Sequence, residues 1–314
     1  MIKSQLAFLF VALIFCLLSL AEAASIDVKG STDLQKRGKK SKKTNKKFWT
    51  FWNWNKFKKA SVGKPTVWDS AFGIPEHSGW LWVWKNAENR KDVLTKDPVN
   101  NKDLVLRVKY PKNSRNPEAS LTGGLGFKAE PLDIPANTKT VKFQYSVYFP
   151  KGFNWVRGGK LPGLFGGHGE CTGGDESSKC FTTRIMWRQK GEGEIYAYLP
   201  DSMQRSDLCD NKVNICNADY GYSLGRGSFK FNTGKWNTLR QELTMNTPGK
   251  TNGAIVLYVN GRKVIDEKRV AFRTNSNGRV VGIMFHTFFG GSDSSWKTPR
   301  NQYAYFKNFK LSLS

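Results

Sequence analysis

From about Ser61 onward, apolar and polar residues alternate in short runs, the pattern of strands with one buried face. Leu104–Tyr110 and Val141–Phe149 alternate most cleanly. Phe181–Arg188, Glu194–Leu199, Trp236–Met245 and Ala254–Val259 read the same way. Val259-Asn260-Gly261-Arg262 predicts a two-residue hairpin, because Asn-Gly accepts the positive φ of a type I′ turn. Arg262–Lys268 returns from it, and Val280–Phe289 and Gln302–Leu313 close the pattern. Gly and Pro clusters separate the runs, and no long helical period interrupts them. Many strands with long loops predict an all-β fold, a two-sheet antiparallel sandwich or jelly roll with a concave cleft, over residues 61–314.

The first 60 residues follow other rules. Met1-Ile2-Lys3, the apolar run Leu6–Leu20 and Ala21-Glu22-Ala23 form a secretory signal peptide, 1–23, with Ala24 opening the cleaved chain. Lys36-Arg37 suggests a propeptide, 24–37, ending at a dibasic site. Residues 38–60 hold nine Lys and no acid, a basic leader. Its aromatics Trp49, Phe51, Trp52 and Trp54 are too many for a bare linker, so some are expected to pack on the domain. The expected product is secreted and extracellular, free of the membrane after signal cleavage, and monomeric.

Export narrows what the charge means. Fifty Lys and Arg against 25 Asp and Glu give a net charge of +25, which attracts polyanions. Outside the cell, nucleic acid is an improbable partner, and an acidic polysaccharide fits better. Export also bears on the cysteines. Cys16 leaves with the signal peptide, so Cys171, Cys180, Cys209 and Cys216 remain for disulfides. Local pairing, Cys171 with Cys180 and Cys209 with Cys216, would close two short loops, among three possible pairings. Neither pair has CxxC spacing or a His within it, so no metal site and no cofactor is expected.

The candidate chemistry lies between Gly158 and Pro200. Strand alternation puts Thr182, Arg184, Met186 and Arg188 on one face, with Ile185 and Trp187 opposite in the core. Tyr196 and Tyr198 share a face of the next run. A turn at Gln189–Gly193 makes the two runs antiparallel neighbours. Lys160 precedes them across a Gly-rich loop. This set suits β-elimination on a uronate polymer. A cation must neutralise the carboxylate that acidifies C5–H, a base must take that proton, and an acid must protonate the leaving oxygen. Arg grips carboxylates in a fork. Lys and Tyr need a cationic cluster to bring them down from pKa values near 10.

KLPGLFGG, FTTRIMWR, GEIYAYLP and a later TFFGG resemble polysaccharide lyase family 14, which includes alginate and glucuronan lyases on a β-jelly roll. The resemblance runs from about Trp68 to the C-terminus and suggests a secreted, fungal-type member. It implies catalytic roles for Lys160, Thr182, Arg184, Tyr196 and Tyr198, with Thr182 standing where the family has Ser. Arg188, His286 and His168 are candidate substrate contacts. Which of Lys160, Tyr196 and Tyr198 is base and which acid stays open. The alternative function is a glycan-binding protein on a lyase fold without turnover. Glu192 and Glu194 suggest a glycosidase pair, but Gly191 and Gly193 predict a turn there and structural or solvated carboxylates. Gly166-Gly167-His168-Gly169 and Gly290-Gly291 are expected to shape turns and admit sugar. Trp80, Trp82 and Trp84 alternate like a core face.

Overall fold

The structure, a computed structural model, describes residues 46–57, 67–75, 93–167, 171–173, 177–217 and 220–314. The signal peptide, Lys36-Arg37, residues 38–45 and 58–60 of the basic leader, Trp80, Trp82, Trp84 and His168 lie outside the described residues.

Chain order runs β1 (Phe48–Phe51), α1 (Val67–Phe72), β2 (Leu94–Lys96), β3 (Leu104–Tyr110), β4 (Leu125–Ala129), β5 (Thr140–Tyr148), β6 (Gly158–Gly167) and β7 (Cys180–Arg188). It continues with β8 (Glu192–Tyr198), β9 (Tyr222–Lys230), β10 (Trp236–Thr244), β11 (Gly253–Val259), β12 (Arg262–Val270), β13 (Val280–Phe289) and β14 (Gln302–Leu313). Two antiparallel sheets result. One has the order β12-β11-β10-β5-β14-β3-β2, with β1 added on β14, and the other β4-β13-β6-β7-β8-β9. The predicted hairpin forms at Asn260 and Gly261, both at positive φ (51° and 83°).

The alternation in the sequence becomes the two sides of each sheet. Phe143, Tyr145 and Val147 of β5 and Leu239 and Leu243 of β10 bury inward from the large sheet. Ile185 and Trp187 of β7 and Ile195 of β8 meet them from the small sheet. Where a polar group enters this layer it is paired, as burial demands. Gln241 Nε2 donates to the Thr183 carbonyl at 2.8 Å, and Thr183 Oγ1 donates to Gln241 Oε1 at 2.9 Å, tying the sheets together.

Two stretches differ from the sequence reading. Gly158–Gly167, which is not among the predicted strands, forms β6 at the centre of the small sheet. Its glycines serve packing. A Cβ on Gly159 would lie 2.1 Å from the Trp187 ring, and one on Gly166 would lie 2.3 Å from Phe181. The expected start at 61 is also late. Phe48–Phe51 pairs with β14 from Phe48↔Ser312 to Phe51↔Phe309. Trp54 is fully buried and packs on Phe51 and Phe309, while Trp52 stays exposed.

Candidate active site

The small sheet's outer face carries a cleft of about 720 Å³. Its floor comes from alternate residues of four adjacent strands. β6 supplies Lys160, β7 supplies Arg184, Met186 and Arg188, β8 supplies Tyr196 and Tyr198, and β13 supplies His286. Register brings them together: Lys160 is opposite Met186, and Arg184 is opposite Tyr196. Loops form the walls. Thr172 belongs to the loop closed by Cys171–Cys180, and Ile215 and Asn217 flank Cys216 of Cys209–Cys216. Both disulfides thus restrain chain segments that border the cleft.

Lys160 sits in an unusual place for an ammonium. Its Nζ lies 3.9 Å from the centre of the Tyr196 ring and 3.1 Å from Met186 Sδ. It forms no ion pair with a carboxylate among the described residues. Burial, then the guanidinium charges of Arg184 and Arg188, pull its pKa well below the usual lysine value. Gly290 borders the amine, where a Cβ would stand 3.5 Å from Nζ, in ordinary van der Waals contact.

Arg184 is fully buried at the cleft floor, and its Nη2 donates to Thr172 Oγ1 at 3.0 Å. Its guanidinium lies 5.9 Å from the Tyr198 ring centre, and the Tyr196 and Tyr198 rings meet edge to face at 5.8 Å. The expectation that cations would lower the phenols fails for Tyr196. Burial, and then the neighbouring Tyr198, outweigh Arg184 and raise its pKa above the ordinary tyrosine value. His286 is buried in the floor, and burial together with Arg184 and Lys128 holds its pKa well below the ordinary value, so the ring is neutral.

Thr182 lies near the start of β7, on the same strand as Arg184. It is fully buried and does not line the cleft. Its hydroxyl donates to the Cys171 carbonyl at 2.8 Å, so it anchors the disulfide loop. Glu192 and Glu194 are not in a turn but open strand β8. Glu194 is completely buried and accepts from Arg188 Nη2 (2.6 Å), Arg226 Nε (2.8 Å) and Ser223 Oγ (2.5 Å). Burial pushes its pKa up, but Arg188, Arg226 and Ser223 outweigh that and hold the carboxyl below its ordinary value. Sequence reasoning missed Arg226 altogether. The only signal was Gly225-Arg226-Gly227, a glycine-flanked arginine in a strand.

A buried amine, a buried guanidinium, two phenols and a neutral imidazole thus converge on one groove with room for a polymer. Comparison with known proteins agrees. The family model described as Polysaccharide lyase 14 matches residues 98–309. The crystal structure of the marine PL-14 alginate lyase from Aplysia kurodai has a TM-score of 0.69 and 33% identity, covering 85% of this chain and 98% of its own. That of alginate lyase vAL-1 from Chlorella virus has a TM-score of 0.60 and 30% identity, covering 70% and 89%. Exolysin of Paramecium bursaria Chlorella virus 1 is 26% identical over 201 residues, 57% of this chain and only 30% of its own length. The extent of the family match and the likeness to the Aplysia structure establish that this chain belongs to polysaccharide lyase family 14.

Proposed function

We propose that the protein cleaves a uronate-containing acidic polysaccharide, alginate-like or glucuronan-like, by β-elimination. The observation that carries this is the Lys160 amine, buried over a phenol ring, under the charge of Arg184 and Arg188, and without a carboxylate to pair it among the described residues. An amine so placed gives up its proton more readily than an ordinary lysine and serves as a base. The substrate carboxylate lies against Arg184, whose permanent charge stabilises the enolate-like intermediate. Lys160 Nζ takes the C5 proton. The C4–O bond breaks as the C4=C5 double bond forms, and the departing oxygen receives the Tyr196 proton, which a raised pKa has kept in place. Neutral His286 and Tyr198 border the same carboxylate, and Arg188 extends the positive strip along β7.

The two disulfides suit an oxidising compartment, which agrees with export, and no helix among the described residues is long and apolar enough to cross a membrane. The test is a panel of acidic polysaccharides followed by product absorbance in the near-ultraviolet. Wild type generates unsaturated ends on at least one polyuronate. Lys160→Ala and Tyr196→Phe bind that polymer but lose turnover, by roughly 10²–10⁴-fold for loss of a positioned proton-transfer group. Binding without any new absorbance by wild type would leave a glycan-binding protein on a lyase fold.

A further inference from the structure

Arg226 has no place in the chemistry above, yet the fold goes to some length to aim it. It sits on β9, the edge strand of the small sheet, where the pairing with β8 slips between Gly193↔Phe229 and Ile195↔Leu224. Gly225 and Gly227, on either side, both have positive φ (67° and 78°). Gly225 also has no room for a side chain, because a Cβ would stand 2.6 Å from Ile265. Such a bulge turns a side chain that regular pairing would direct elsewhere.

What it turns is a guanidinium held by one side. Arg226 Nε is committed to Glu194 Oε2 at 2.8 Å and to Ser223 Oγ at 3.0 Å. The terminal nitrogens Nη1 and Nη2 have no protein partner among the described residues, and the side chain, 34% exposed, lines the cleft. Glu194 pairs with Arg188 as well, so one buried carboxylate serves two guanidiniums and, among the described residues, this end of the groove keeps a positive charge. A planar fork of two donors, fixed from behind and open in front, matches a carboxylate.

We propose that Arg226, fixed by Glu194 and the Gly225–Gly227 bulge, is a second carboxylate-recognition point that binds a uronate neighbouring the one cleaved. This rests on the uronate-lyase reading. It makes Arg226 a specificity-determining residue: the cleft selects a polymer charged at more than one sugar, because each additional fork-to-carboxylate contact must be matched.

The experiment uses the turnover-deficient Lys160→Ala protein, so that binding is read without cleavage. Its affinity for size-defined oligouronates and for a carboxyl-reduced polymer of the same backbone is measured by calorimetry, with and without Arg226→Ala or Arg226→Lys. Arg226→Ala weakens binding of the longer oligouronates about tenfold or more, the effect of one lost charged hydrogen-bonding pair, and leaves the carboxyl-reduced polymer unaffected. Arg226→Lys, which keeps the charge, recovers only part, because an ammonium lacks the fork. Equal oligouronate binding by all three proteins overturns the proposal, as does an equal loss on the carboxyl-reduced polymer. If wild type forms no unsaturated product while Arg226→Ala still weakens oligouronate binding selectively, the lyase reading fails and the recognition point stands.

Discussion

Replacing Glu194 by Gln tests the electrostatic core of the site. The substitution keeps shape and removes one buried charge from between Arg188, Arg226 and Ser223. Breaking a buried ion pair costs ~3–5 kcal/mol when the partner is left stranded. Here the partners are not fully stranded, since the Arg188 and Arg226 side chains are 15% and 34% exposed and water reaches them. Gln also still offers one acceptor. The expected loss is therefore smaller, about 2–3 kcal/mol. At ~2–4 °C per kcal/mol for a domain of this size, that lowers Tm by roughly 4–12 °C at neutral pH. The pH dependence supplies a second handle. The folded-state pKa of Glu194 lies below its ordinary value of 4.5, so its contribution is fully present above that value and is lost as pH falls through the lowered one. The gap between wild type and Glu194→Gln, followed by thermal unfolding against pH, must close on the acid side. An unchanged Tm at neutral pH, or a gap that persists undiminished in acid, refutes the reasoning.

Other expectations follow from the same geometry. With Lys160 as base, kcat/KM rises with pH through an apparent pKa well below the ordinary lysine value of 10.5, and the fall from loss of the Tyr196 proton lies above the ordinary tyrosine value of 10.0; a rate that declines across neutral pH contradicts these roles. His286 is held neutral and contributes no inflection near its ordinary 6.5, so His286→Asn leaves the shape of that profile intact. Cys171→Ser with Cys180→Ser opens a loop of sequence separation 9, which costs about 2.5–3 kcal/mol by loop-closure entropy. Because Thr172 in that loop holds Arg184, the same pair of changes raises KM for polyuronate, measured below the melting transition; an unchanged KM refutes the link.

Strand periodicity alone determined much of this protein. Period two put Arg184, Met186 and Arg188 on one side of β7 and Ile185 and Trp187 on the other, because successive side chains in an extended chain have no other choice. Asn260-Gly261 determined its own turn in the same local way. Where partners come from far along the chain, tertiary structure decided. Gly158–Gly167 shows no strand signal until Trp187 and Phe181 are seen to occupy the space that side chains on Gly159 and Gly166 would need. Phe48–Phe51 looks like leader until β14 supplies hydrogen bonds and Trp54 finds the core. Glu194 became an anchor only when two guanidiniums, one from its neighbour β7 and one from a bulge in β9, met over it. The proton affinities were the least legible of all. Lys160 falls and Tyr196 rises within one cluster because burial always disfavours the charged form, which is the protonated amine but the deprotonated phenol.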